Sequence, residues 1–476
     1  MKGHFLFFAL FTGLCAMLHA QNKQLLYDFG EIPQSLSVNP GTQIDFQWFS
    51  GIPALSGISF NAGSSGITVN DIFADDGLDI NDKIRDRAIN GMNIRDELSG
   101  TYQVELLSIG FRGKDRDNFY SFGIYNEGDA IGYWPRDYAI LTFEGNASRL
   151  GQQFDLSHLK IRGEMLNVFH FGINRRMGKE LTLGARGKLY SSIFDFNSTQ
   201  NKGAFVTNPG QNNILASTLD ADMRFRTSGL NELENAEDEG SLGKTLLQRG
   251  FFGGNLGIGL DLGFSYNLDR QTVITGSLLD LGFIYHSNDV KTYTLKGNAT
   301  IEGVEIILPD ALADPNSDFW QELVDEIEEL IPFEDDTRGY VAFRPTKLYA
   351  SIRRDFGQQL ETRGICDCDE VVSAGNRMRA RYTNSLGGQL YIINRPRGPQ
   401  TALTAFYTRR FGNLLAAKAT YTVDKFSFTN VGLGVSLQAG PVNMYAMADN
   451  LLAYSNVANA HYASFQLGLN IISWGR

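Results

Sequence analysis

Cysteine, proline, histidine and long apolar runs are all scarce in this 476-residue chain, and each scarcity closes off a class of protein. Of the 3 cysteines, Cys15 lies in the apolar N-terminal stretch and Cys366 and Cys368 stand together in ICDCDE, so a disulfide-stapled secreted module is excluded. No second Cys/His group lies beside that C-x-C, which leaves a metal contact, a local disulfide or ordinary turn residues open. Past residue 20 there is no apolar run of the length, about 18 residues, that a transmembrane helix needs. Net charge is 42 minus 53, or −11, with no Lys/Arg run, which argues against a nucleic-acid partner. Beyond the N-terminal stretch the histidines are His158, His170, His286 and His461, scattered and without a G-x-S-x-G or H-E-x-x-H frame. No catalytic, cofactor or metal site is therefore read from the sequence. The acidic segment from Asn70 to Lys83 lacks the D-x-[DN]-x-[DN]-G spacing and a closing glutamate. It is read as an acidic surface loop, with calcium binding as the alternative.

What is present begins with MKGHFLFFALFTGLCAMLHAQ, a lysine, a short apolar core and Ala20 before polar sequence, which is a secretory signal peptide over residues 1–20. Glycine is 51 residues, about 11% against about 7% in ordinary proteins, and aromatics are 12%. Both suit many strands joined by tight turns. The run NLGIGLDLGFSYNL, from Asn255 to Leu268, alternates without a break: Leu256, Ile258, Leu260, Leu262, Phe264, Tyr266 and Leu268 on one face, small or polar residues on the other. An exported chain with such strands and no apolar helix fits a transmembrane antiparallel β-barrel, since only helices and closed barrels satisfy every backbone group in a bilayer.

Short turns at Arg112–Asp117, Arg175–Glu180, Leu268–Gln271, Arg410–Asn413 and Ala439–Pro441 mark hairpins. Walking outward from them gives strands near 102–113, 118–127, 160–174, 180–197, 252–268, 272–286, 344–355, 384–395, 401–411, 413–424, 429–439, 442–449 and 463–474, plus one before residue 64. That makes about 14 strands, with both termini on the periplasmic side of the outer membrane. Parity demotes 219–226 and 291–306 to surface-loop structure. The barrel spans 42–476, and extracellular loops are expected near 64–101, 128–159, 198–251 and 287–343. The last holds Lys291, Lys296 and Arg338 against fourteen acids, 3 minus 14 or −11. Its SDFWQELVDEIEEL segment is amphipathic, either a docking lid or a solvated helix.

On this register the apolar face of 255–268 meets lipid, and the small face leaves room in the lumen for water, a ligand or the chain's own N-terminal segment. Gly259 is expected to tolerate a small side chain. Arg186, Lys188, Asp261, Asp280 and Arg162, with Lys160 and Glu164, are expected to form a lumen charge belt that either braces the wall or selects what passes.

LYDFGEIPQSLSVNPG from Leu26 to Gly41, SLLDLGFIYH from Ser277, GPVNMYAMADNLL from Gly440 and the ending LGLNIISWGR resemble an uncharacterised family of Gram-negative outer-membrane barrels. That family is similar to the fatty acid transporter FadL and to PorV of the type IX secretion system. The resemblance implies a FadL/PorV-like barrel with an N-terminal plug over 21–41, and no substrate residue. Two functions follow as expectations: a gated pore or transporter for small, possibly hydrophobic solutes, or a nonconducting adaptor whose loops bind a protein partner. Lipid is the one partner common to both.

Overall fold

The computed structural model describes residues 23–210, 215–236, 238–302, 334–360 and 381–474. The signal segment, the amphipathic run 317–330 and Cys366/Cys368 lie outside them.

Fourteen antiparallel strands close into a barrel. The first is interrupted, β1 (Trp48–Gly51) and β2 (Ile58–Ser64), and both halves lie between β3 (Glu97–Arg112) and the last strand, β20 (Tyr462–Ser473). From β3 the wall continues through β4 (Asn118–Tyr133), then past the short β5 (Gln153–Asp155) to β6 (Lys160–Met177) and β7 (Leu181–Pro209). β8 (Leu215–Ser228) stands outside the ring, because β7 pairs directly with β9 (Asn255–Asn267) and β9 with β10 (Thr272–His286). After β11 (Val290–Glu302), β12 (Glu334–Asp336) and β13 (Tyr340–Phe343), the wall resumes with β14 (Lys347–Leu360). β15 (Arg381–Arg395), β16 (Gly398–Phe411), β17 (Leu415–Val423), β18 (Asn430–Ala439) and β19 (Val442–Asp449) complete the ring to β20.

The tight turns after β3, β6, β9, β16 and β18 and the end of β20 lie at one end of the barrel, and the connections that follow β2, β4, β7 and β10 at the other. At the loop end β8 pairs with β7 and β11, and β11 with β12, so 219–226 and 291–302 form a sheet that extends the wall instead of crossing again. This extension has its own core: Ile140 of the helix Arg136–Glu144 packs with Phe154, Leu156, Phe205 and Leu219.

The period-2 pattern of β9 maps onto two environments. Leu256, Ile258, Leu260, Leu262 and Phe264 are exposed on the outer face, and Asn255, Asp261 and Ser265 are buried inside. In a protein without a membrane such an apolar outer surface would be a liability; around a barrel it is the lipid contact. The reading of Gly259 needs correction. Its inner face is not empty: a Cβ there would lie 2.6 Å from Tyr190 Cζ, because the Tyr190 ring of β7 lies across the glycine. Glycine at 259 is a packing requirement.

Leu260→Arg places a charge on the lipid face near mid-height and is expected to cost roughly 2–4 kcal/mol. Gly259→Ser must displace Tyr190 and is expected to cost roughly 1–3 kcal/mol, whereas Leu260→Val stays close to the parent. Urea titration of the refolded barrel, followed by heat-modifiable gel mobility, measures all three.

The occupied lumen as the candidate functional site

The small residues on the inner faces of β7 and β9 are a seat for backbone. Residues 23–46 lie inside the barrel, and their Asn39–Pro40–Gly41 bend rests on two glycines of neighbouring strands. A Cβ on Gly184 would overlap the Pro40 carbonyl, one on Gly263 would come 2.9 Å from Pro40 Cδ, and one on Gly41 would meet Gly263 at 2.5 Å. No residue larger than glycine fits on either side of this contact without movement. Polar groups then fix it: Ser265 Oγ donates to the Gly41 carbonyl at 2.8 Å, Asn174 Nδ2 to the Pro40 and Thr42 carbonyls at 2.7 and 2.8 Å, and Ser277 Oγ to the Val38 carbonyl at 2.6 Å.

The rest of the segment is packed as a core. Leu25, Leu26, Tyr27, Phe29 and Ile32 are at most 2% exposed and lie among Leu279, Tyr349, Tyr391, Ile393, Tyr445 and Met447 of the wall, with Tyr27 stacked on Tyr349 at 4.8 Å. A short 3-10 turn, Pro33–Ser37, starts on a proline and lets the chain reverse without an unsatisfied donor at that position. Below it Leu36, Ile44 and Phe46 join Phe49, Phe119 and Ile472. Burying five large side chains at about 1.5–3 kcal/mol each is of order 10 kcal/mol, comparable with the whole stability of a domain.

Charged wall residues bind the same segment. Arg186 donates to the Leu36 and Ser37 carbonyls at 3.2 and 2.7 Å while holding Asp261 at 2.7 Å through Nε. Lys418, fully buried, donates to the Gln24 and Tyr27 carbonyls, its ammonium 4.4 Å from the Phe406 ring centroid. At the turn end Glu31 lies between Arg381 at 2.9 Å and Arg410 at 2.5 Å. Burial resists ionisation of Glu31, but Arg410 and Arg381 outweigh it and hold the carboxyl well below its ordinary 4.5.

The belt residues separate into two groups. Arg186, Lys188, Asp261 and Asp280 come together: Lys188 reaches Asp261 at 3.0 Å and Asp280 at 2.6 Å, and Asp280 also takes Lys347 at 2.8 Å. Asp280 occupies a β-bulge, where β10 slips against β9 between Leu278 and Leu281. It has φ +58, a conformation aspartate tolerates better than most residues, and its N–H donates to Asp261 at 2.7 Å. Arg162 belongs to a separate group nearer the loop end: it meets Glu164 at 3.4 Å and donates to the Phe343 carbonyl at 2.7 Å, and Lys160 donates to the Ser198 carbonyl. Arg344, absent from the sequence reading, pairs with both Glu127 and Glu164.

A further pair spans the lumen. Arg395 of β15 meets Asp129 of β4 at 2.5 Å, although β15 is six strands from β4 along the wall, through β6, β7, β9, β10 and β14. A circular barrel of fourteen strands, about 4.8 Å apart and tilted about 40°, would be about 28 Å across, beyond the reach of an arginine and an aspartate. The two walls therefore converge at this level. The residues expose one signal in sequence: Glu127, Asp129 and Arg395 all fall on inward parity.

Two polar chambers flank the N-terminal segment. One of about 60 Å³ lies on its loop side, lined by Lys23, Glu127, Lys188, Asp280, Arg344 and Lys347 among others. The other, of about 90 Å³, lies on the turn side and is lined by Glu31, Asp355, Arg353, Arg381 and Arg410 among others. His286 stacks on Tyr340 at 4.7 Å, and among the described residues no three His, Cys, Asp or Glu are placed to hold a metal. In the 70–83 segment Asp76 pairs with Lys83 and Arg87.

The sequence matches, over residues 40–449, a family described as being of unknown function, DUF5723. The chain belongs to that family. No curated protein matches it. Solved structures to which it is similar include the P. putida toluene transporter TodX (9% identity, 96% of this chain and 95% of that chain, TM-score 0.38). Others are the Ralstonia pickettii toluene transporter TbuX (10%, 92% and 92%, 0.40) and a Pseudomonas aeruginosa FadL homologue (9%, 94% and 94%, 0.39). The likeness is faint in every case.

Gly184→Ala should unseat the 39–41 bend at a cost of roughly 1–3 kcal/mol and expose residues 23–46 to limited proteolysis, while Gly187→Ala, whose Cβ would meet the Phe171 carbonyl oxygen at an ordinary 4.0 Å, should not. Glu31→Gln leaves two buried guanidiniums without their carboxylate and should cost about 3 kcal/mol at neutral pH. The contribution of Glu31 is complete above 4.5 and is lost as pH falls below it toward the depressed folded value. The gap in melting temperature between parent and Glu31→Gln should accordingly narrow on acidification.

Proposed function

We propose that the protein is a gated outer-membrane transporter for small polar solutes, closed in this form, with its N-terminal segment, residues 23–46, as the plug. In this reading the long connections face outward and both termini lie in the periplasm. The observation that carries it is the pair of polar chambers on either side of the segment. A barrel that served only as a frame would gain stability by filling that volume with side chains; here two cavities are left on either side of one segment of the chain. Their charged lining favours polar solutes over apolar ones. The glycine row on β9 gives no support of its own, because Gly263 seats the segment and Gly257 and Gly259 are covered by Ile284 and Tyr190.

A nonconducting adaptor is the second reading, favoured by the loop-end sheet of β7, β8 and β11 with its separate apolar core around Ile140 and Phe205. Ordered loops of that kind suit a protein partner.

Planar-bilayer recordings separate the two. The intact chain should stay at background, and a chain lacking residues 23–46 should show discrete openings with at least about tenfold more current. Gly184→Ala, which keeps the chain length, serves where the deletion fails to fold. Background current from both variants, with folding established by heat-modifiable mobility, overturns the transporter reading and supports the adaptor.

A further inference from the structure

We infer that the loop-side chamber is a binding site for a small oxyanion, a carboxylate or phosphate. The inference deepens the transporter reading and rests on it.

Six cations line this chamber, Lys23, Arg186, Lys188, Arg344, Lys347 and Arg395, against three carboxylates, Glu127, Asp129 and Asp280, a surplus of 6 minus 3. Asp261 and Glu164 lie behind them, Asp261 paired with Arg186 and Lys188 and Glu164 with Arg344. With both of these and the buried Glu105, whose charge also reaches Lys23, cations and carboxylates balance, so the surplus belongs to the chamber's own lining. One lining cation forms no ion pair. Among the described residues the Lys23 ammonium meets no carboxylate; its partner is the neutral side-chain oxygen of Gln103. Two guanidinium nitrogens of the lining, Arg344 Nε and Arg395 Nε, are buried without an acceptor. A cationic surplus with unspent donors stands in contrast to the chain's overall −11.

The surroundings magnify that surplus. Charges enclosed by low-dielectric walls interact more strongly than charges in water and focus potential into the chamber. A desolvated ammonium and two open guanidinium donors favour an oxyanion, which accepts from both geometries. The phenol rings of Tyr102, Tyr125, Tyr349 and Tyr391 also line the space, so a solute with a compact carbon skeleton has a surface to rest on. Cations would meet the reverse field.

Calorimetric titration of the intact, detergent-solubilised protein with inorganic phosphate and with glucuronate tests the site without reference to conductance. Saturable binding of at least one is expected, with none for a small cation such as choline. Lys23→Gln removes the unpaired charge while leaving every ion pair in place, and should weaken that binding roughly tenfold with unchanged heat-modifiable mobility. Lys347→Gln should weaken it in the same direction and covers the case in which Lys23→Gln loosens the segment. Saturation by phosphate alone or glucuronate alone fixes which oxyanion class the site takes. No saturable binding of either, or equal affinity in both folded variants, overturns the inference. A plug-deleted barrel that never conducts would instead defeat the transporter reading, whatever the titration gives.

Discussion

The interior of the barrel depends on one contact between backbones, the Asn39–Gly41 bend lying on Gly184 and Gly263. A wall of fourteen strands encloses more space than its own side chains fill, and the sequence solves this by admitting a second layer of chain. Glycines on adjacent strands allow that layer to come to van der Waals distance, close enough for wall side chains to satisfy its carbonyls. Without the seat, Asn174, Ser265 and Ser277 would have no acceptors within reach, and Arg186 would lose the Leu36 and Ser37 carbonyls.

Electrostatics then determines how tightly the seat is held. Taking ions out of water is expensive, and a buried pair is weak evidence of net stability. These ions are shared instead of isolated: Asp261 serves Arg186 and Lys188, Asp280 serves Lys188 and Lys347, and Glu31 serves Arg381 and Arg410. Displacing the segment would leave Arg381 and Arg410 without Glu31 and Arg353 without Asp28, while the wall pairs around Asp261 and Asp280 would persist, so the turn-end pairs are the ones that specify its placement. The network also sets where the protein could open, because the chambers lie where the packing gives way to these charges.

Much of the architecture was legible in the sequence because a barrel's rule is local. Period-2 alternation identifies a strand and its two faces from ten residues, and turn length combined with parity rejects 219–226 and 291–306 as crossings, which the β7–β9 and β10–β14 pairings bear out for 219–226 and for the described part, 291–302. What lies across the lumen was not legible. Arg395 and Asp129 are neighbours only once fourteen strands have closed and converged, and Arg344 reaches Glu127 from a break between β13 and β14. The Asp280 bulge leaves no mark on composition. Gly259 was misread for the same reason: the ring that fills its space belongs to Tyr190 on another strand, and an absent side chain looks the same whether the space is empty or taken.

The central claim is that residues 24–44 form a fixed inner layer of the barrel. Hydrogen–deuterium exchange on the intact, micelle-bound protein tests it most directly, since the Ser35, Val38, Asn39 and Thr42 amides each donate to a backbone carbonyl within a closed interior. Peptides from 24–44 should exchange as slowly as peptides from β7 and β9. Exchange over that stretch as fast as at the exposed turn 268–271, with the strands still protected, would contradict it.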